Sequence, residues 1–204
     1  FSEHNRRRPF RDCSSARTPP ATSAALSSGL PRRSRDVRFG RTSSRTRRTA
    51  SAESPATSTT FCRADGGFGG PSGPVAAPHP IPETAPQLTC DLPTLPQAAL
   101  IYRLSGDYNI LHSDPAQAQK VGFPRPIRHG LGTFGVAGHA MLKTLCGYDP
   151  ARFKSMEARF SSPVYPGETL RTQMWKSGNV VSFRCTVPAR GDVVVLNNGR
   201  AEIA

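Results

Sequence analysis

Beyond Pro150 the chain falls into short runs of alternating or continuous apolar residues, punctuated by turn residues. Lys154–Ser161, Thr169–Lys176, Val180–Val187 and Val193–Ala204 each suit a strand. Pro163–Gly167, Ser177–Asn179 and Ala189–Asp192 separate them as turns. Upstream, Leu131, Phe134, Val136, Ala137, Ala140, Met141 and Leu145 predict one long buried helix over 131–145. Gly132, Gly135, Ala137, Gly138 and Ala140 are small, so neighbouring backbone is expected to approach this helix closely, and Gly147 is a suitable stop. A short helix is expected over Gln97–Leu104, with apolar Ala98, Ala99, Leu100, Ile101 and Leu104, ended by Ser105-Gly106. Residues 107–126 read as irregular, apart from a helical turn over Pro115–Val121 begun by Ser113 or Asp114 as N-cap. One long helix followed by consecutive strands predicts an α+β arrangement, an antiparallel sheet wrapped on a helix. A single such unit leaves sheet edge and outer face poorly covered, so pairing with a second copy is expected.

The pattern fades before residue 97. Residues 61–96 are rich in glycine and proline and read as a connector, because prolines at this spacing oppose helix and central strand alike. The run Gly66-Gly-Phe-Gly-Gly70 lacks both the GxGxxG order and a strand–helix context, which argues against a phosphate-cradling loop. Residues 1–60 show no sustained apolar periodicity, and disorder is the expectation there, since too little surface can be buried to offset ordering entropy.

Charge sharpens this division. Thirteen of the 27 basic residues and four of the 14 acids lie in residues 1–60, so +9 of the net +13 belongs to that segment and +4 to the rest. The leader admits three readings. A reading frame begun in the wrong place is favoured by Phe1 standing where Met is usual; an Arg- and Ser-rich organelle transit peptide comes next. Nucleic-acid binding by phosphate neutralisation ranks last, for want of aromatic interleaving or a folded reader. The mildly cationic remainder suits a small anionic ligand. Five scattered cysteines with no CxxC pair argue against a disulfide framework or zinc site and for a reducing compartment. No apolar stretch approaches the length of a membrane span.

The candidate chemistry lies in Tyr102-Arg-Leu-Ser-Gly-Asp107-Tyr108-Asn109-Ile110-Leu111-His112. An acid and an imidazole five positions apart in a non-helical, glycine-started loop can converge on one water and transfer its protons. Asn109 could fix that loop or orient the water. The commoner role for an isolated pair is structural, with Asp107 capping a turn and His112 a satisfied buried histidine. A second element, Pro126-Ile-Arg-His129-Gly130-Leu131, opens the long helix, where free N–H groups and a partial positive charge gather. Glycine there lets a ligand oxygen approach the Gly130 N–H, as an oxyanion hole for a thioester carbonyl requires; a simple helix start is the plainer reading. His129 could be a ligand, but props the turn on the simpler view. The third element, Phe160-Ser-Ser-Pro-Val-Tyr-Pro-Gly167-Glu-Thr-Leu170, reads as strand, turn and strand, with Phe160 in the core.

Together these blocks resemble the MaoC-like, or hydratase 2, family of (3R)-specific enoyl-CoA hydratases, including the hydratase part of peroxisomal multifunctional enzymes. The matching pieces are the Tyr102–His112 block with Ala118 six residues on, Gly122-Phe-Pro with Pro126-Ile-x-His129-Gly130-Leu131, and Arg159-Phe160-x-x-Pro-Val-x-Pro-Gly167-Glu-Thr-Leu170. The resemblance covers about half the chain strongly and extends loosely from Phe68 to the end. It implies a hot-dog fold over 97–204 and reversible hydration of trans-2-enoyl-CoA to (3R)-3-hydroxyacyl-CoA in fatty acid β-oxidation. Asp107 and His112 would activate the water and protonate the α-carbon, and the Gly130 N–H would stabilise the enolate-like oxygen. Asn109, Phe160, Tyr108, Ile110 and Leu111 would line the site. No metal or redox cofactor is implied, coenzyme A being part of the substrate.

The resemblance also implies a peroxisomal setting, although the chain ends Ala201-Glu-Ile-Ala204 rather than in a Ser-Lys-Leu-like signal. Two positions depart from the family: Ile110 stands where proline is common and Arg128 where leucine is usual. The upstream hot-dog half of the eukaryotic relatives is missing, so either the chain pairs with itself as a homodimer or it lacks a partner half. The alternative function is a catalytically impaired module that binds acyl-CoA or a partner subunit. A hot-dog thioesterase is disfavoured by the intact Asp107/Asn109/His112 block.

Overall fold

A computed structural model describes residues 77–204, together with the backbone of two upstream strands. The chain divides into two units, Phe1–Pro74 and Val75–Ala204. In the first, β1 (Arg38–Arg48) pairs antiparallel with β2 (Ser51–Cys62), with a register shift between Arg45 and Arg47. Backbone pairing needs no apolar face, which is all that composition weighs, although a lone two-stranded ribbon is marginal in water. The remainder of residues 1–60 and the glycine cluster Gly66–Gly70 lie outside the described residues.

The second unit carries β3 (Leu88–Pro93), α1 (Ala98–Arg103), α2 (Pro115–Lys120), α3 (Gly130–Leu145), β4 (Phe153–Phe160), β5 (Thr169–Ser177), β6 (Val180–Val187) and β7 (Val193–Ile203). The five strands form one antiparallel sheet in the order β3-β5-β6-β7-β4, and α3 packs against β3, β4 and β5. Ala137, Ala140 and Met141 of α3 are fully buried with Leu170, Met174, Val181, Phe183, Leu196 and Ala201 of the sheet. Alternating burial along β5 and β6 follows the two-residue strand period, one face turned to the helix. Phe183 lies so close over Gly199 that an added Cβ would stand 2.6 Å from its ring. Cys90, Cys146 and Cys185 are buried free thiols, and burial pushes the Cys185 thiol up to about 12 despite its contact with the Thr172 hydroxyl.

Three expectations need correction. The connector ends earlier than the proline count implies, because Gln87–Leu92 is free of proline and β3 pairs along β5, from Leu88 opposite Met174 to Pro93 opposite Thr169. An edge strand tolerates proline at its end. Ahead of it, the Trp175 Nε1–H donates to the Thr84 carbonyl at 2.8 Å, and the Asn198 amide to the His79 carbonyl at 2.8 Å. Second, Leu131, expected on a buried helix, is 66% exposed; Leu100, Ile101 and Leu104 of α1 and its end are exposed as well. Third, the glycines of α3 meet side chains rather than backbone: the Phe160 ring at Gly130, the Arg128 guanidinium at Gly132 and Met156 at Gly138. Among the described residues no helix is long and apolar enough to cross a membrane.

Candidate active site

The loop after α1 is held by its own polar groups. Gly106, at φ +103°, takes a conformation that side chains rarely adopt and turns the chain out of α1. The Asn109 N–H donates to Asp107 Oδ1 at 3.2 Å, and the Leu111 N–H donates to Asn109 Oδ1 at 3.1 Å. These bonds wind Ile110–His112 into one 3₁₀ turn. From α1, Arg103 Nη1 donates to the Tyr108 carbonyl at 3.0 Å and to Ser113 Oγ at 3.3 Å. Asp114 rather than Ser113 caps α2, accepting the Ala116 N–H at 2.8 Å. His112 then meets the Ile127 carbonyl through Nδ1 at 2.8 Å. A carbonyl only accepts, so Nδ1 carries the proton and Nε2 of the neutral ring is left as an acceptor.

The opposite wall is the start of α3. The Arg128 N–H donates to the Val164 carbonyl at 2.7 Å, which ties this segment to the turn after β4. His129, at φ −59° and ψ 134°, is buried and stacks between Tyr102 (ring centroids 4.3 Å apart) and His112 (3.7 Å). Neither of its ring nitrogens has a hydrogen-bond partner, and Nε2 stands 3.7 Å from Asp107 Oδ2. Burial, then the neighbouring His112, hold His129 below the usual imidazole range, with Asp107 acting in the opposite sense. Gly130 follows at the first helical position, where the N–H has no carbonyl within the helix to bond. It donates to no acceptor among the described residues.

A cleft of about 300 Å³ opens between these walls, bordered by His112, Gly130, Thr133, Phe160 and Val164. Asp107, half exposed, stands at its margin, and Asp107, His112 and His129 each place one ligand-type atom within 4.8 Å of the others. Such a cluster could be read as a metal centre. The two imidazole rings also pack on each other, their centroids 3.7 Å apart and their planes tilted by 30°. A carboxylate and an imidazole within this range of each other can also share a water.

The sequence-derived candidates therefore separate. His112, Gly130 and Phe160 border the cleft, and Asp107 joins them through its proximity to the imidazoles. Phe160 is half exposed rather than core, its ring covering Gly130. Asn109 spends its side-chain oxygen on the 3₁₀ turn. Tyr108, Ile110 and Leu111 do not border this cleft; the Tyr108 ring lies beneath the Arg103 guanidinium. The Tyr102–His129–His112 stack escaped notice, although both Tyr102 and His129 stand inside the recognised blocks. Ring stacking leaves no spacing signature in a sequence.

An antiparallel sheet on one long helix, with an acid, an imidazole and a helix-end amide at one margin, defines a protein of the hot-dog fold. The chain belongs to the MaoC-like domain family, whose pattern it matches over residues 78–197. That span begins ahead of β3, some twenty residues before the boundary expected from the sequence. An enoyl-CoA hydratase of Mycobacterium tuberculosis is 45% identical over 137 residues, covering 67% of this chain and 48% of that protein. The mouse peroxisomal multifunctional enzyme type 2 is 46% identical over 140 residues, covering 67% of this chain and 19% of the mouse enzyme. Among solved structures, a MaoC-like dehydratase from Phytophthora capsici superposes with a TM-score of 0.74 at 38% identity, covering 83% of this chain and 57% of that one. The chain thus spans about half the length, or less, of the curated relatives it matches.

Proposed function

We propose that the protein catalyses reversible addition of water to a trans-2-enoyl-CoA, giving the (3R)-3-hydroxyacyl-CoA. The observation that carries this reading is the convergence of three groups: the Asp107 carboxylate, the open Nε2 of His112 and the unpaired Gly130 N–H. A water lying between Asp107 and His112 donates a hydrogen to each and turns its lone pairs toward C3. As the C3–O bond forms, one acceptor takes a proton from the water. The alkene electrons move to C2 and the thioester oxygen, where the Gly130 N–H meets the developing charge; one such donor typically lowers a barrier by about 3 kcal/mol. Proton delivery from the Asp107/His112 pair to C2 completes the addition, with no net gain or loss of protons by the enzyme. The Phe160 ring lies beside Gly130, where it can pack against the bound thioester.

The scheme needs neither metal nor redox cofactor, because hydration leaves the overall oxidation state unchanged. A second hot-dog half, from another copy or another chain, would cover the exposed apolar residues of α1. We place this activity in peroxisomal fatty acid breakdown; the word peroxisomal in the mouse relative's name supports the setting. The alternative, an impaired module that binds acyl-CoA or a partner without turnover, requires the same cleft but no loss of the enoyl chromophore.

The test is to incubate the purified chain with crotonyl-CoA, follow the enoyl-thioester absorbance, and resolve the product on a chiral column. Falling absorbance with a (3R) product supports the proposal. A (3S) product rejects the (3R) assignment, and acyl-CoA binding without turnover favours the impaired module.

A further inference from the structure

A second cleft, about 390 Å³, lies beside α1 and β3, with Leu95, Ile101 and Val136 among its apolar walls and the side chains of Tyr102 and Ser105 adding hydroxyls. Arg128 is the residue whose side chain borders both this cleft and the one at Gly130. Its guanidinium folds over the first turn of α3, and Nη2 donates to the Gly132 carbonyl at 3.1 Å. Nε is buried without a partner, and no carboxylate pairs with this cation among the described residues. Three other arginines each have a side-chain partner: Arg190 pairs with Glu168 at 2.7 Å, Arg171 with Asp91 at 2.8 Å, and Arg184 Nε donates to Gln173 Oε1 at 2.6 Å. A cation that is desolvated and uncompensated is costly, and a ligand carboxylate offsets that cost most directly. Burial also lowers Arg128 from the usual guanidinium range, as an unpaired cation requires.

We infer that Arg128 is a specificity determinant that selects enoyl thioesters bearing a carboxylate on the acyl chain, which extends from the Gly130 cleft into the apolar cleft beside α1. The inference rests on the hydratase reading for its substrate class. The apolar walls accept methylenes, and the guanidinium with the neighbouring hydroxyls receives the distal carboxylate. The phosphates of coenzyme A offer the same anionic chemistry, but the apolar lining of the second cleft suits a hydrocarbon chain better than a nucleotide.

The experiment compares trans-2-decenoyl-CoA with the mono-CoA thioester of trans-2-decenedioic acid, using wild type, Arg128→Leu and Arg128→Lys. Calorimetric binding of decanoyl-CoA, of the mono-CoA thioester of decanedioic acid and of free coenzyme A runs in parallel. In wild type the carboxylated member of each pair is expected to be preferred. Arg128→Leu is expected to shift that preference about 10- to 100-fold toward the plain chain, the effect of one charge-assisted hydrogen bond. Arg128→Lys should restore part of it, and free coenzyme A should bind all three proteins alike. An unchanged preference in Arg128→Leu overturns the assignment. So does equal weakening of every CoA ligand, which would place a phosphate at the guanidinium. Wild type that hydrates neither enoyl thioester but binds the decanedioyl thioester preferentially defeats the hydratase reading and leaves Arg128 as the carboxylate receptor.

Discussion

The middle of α3 and its beginning belong to one helix rich in small residues, yet they live under different rules. Ala137, Ala140 and Met141 are fully buried, and their neighbours in the core are apolar residues of the sheet. At His129 and Gly130 the chain instead keeps an amide, two imidazole nitrogens and a guanidinium nitrogen without partners. The first region holds the fold together by dispersion and burial. The second retains unspent hydrogen-bonding capacity, which is what a polar transition state can use. Folding and reactivity are thus drawn from the middle and the beginning of one element, and substitutions should separate them.

The largest separation is expected at the loop. Asp107→Asn and His112→Gln should each lower hydration of crotonyl-CoA by about 10²- to 10⁴-fold, the usual worth of a positioned acid or base. Because Asp107 is half exposed, thermal unfolding of Asp107→Asn should stay close to wild type. Next comes the helix-end amide. Gly130→Pro removes the N–H at a position where the preceding residue is already extended at ψ 134° and where proline starts helices well. Gly130→Ala keeps the N–H but presses a methyl against the Phe160 ring, 3.2 Å from the ideal Cβ. Turnover by the proline variant should fall about 10²- to 10³-fold below that of the alanine variant. Equal rates would mean that steric crowding, not the amide, matters there.

In the middle of the helix the effects should reverse. Met141→Ala should lower unfolding free energy by about 2–5 kcal/mol, through lost burial and a residual cavity. Activity at a temperature where the variant remains folded should change little. Chemical denaturation monitored by circular dichroism, beside the crotonyl-CoA assay, checks both halves of that statement.

The smallest effect concerns His129. Its folded-state pKa is depressed, so the unfolded chain binds more protons over the window from the ordinary imidazole value, about 6.5, downward. Its contribution is therefore fully present above that value and is lost as pH falls. Thermal stability should decline on acidification below about pH 6.5, and His129→Phe, which keeps a ring in the stack, should flatten this decline. Identical pH profiles for the two proteins would remove His129 as its source.

Much of the fold was legible because the period of burial is written in the residues. The helix expected over 131–145 spans Gly130–Leu145, and the strand expected over Val180–Val187 has those bounds. β3 escaped notice because proline density masked six residues whose pairing is decided by β5, a partner some eighty positions away. The outward face of α1 also escaped, since apolar spacing shows a helix but not which neighbour covers it. At the site, Asp107, His112 and Gly130 were readable as ordered blocks. Asn109 was assigned two roles, and only the loop-fixing one has a bond behind it. The stacking of His129 and the isolation of the Arg128 guanidinium depend on packing between distant segments, which no local spacing encodes.

Whether the carboxylate and the imidazole work on one shared water is best tested by comparing the Asp107→Asn/His112→Gln double variant with the two singles in the crotonyl-CoA assay. If they act as a unit, the double variant should be no slower than the more damaged single variant within a few-fold. Losses that multiply, or a single variant as fast as wild type, would show that the two residues do not operate on a common water.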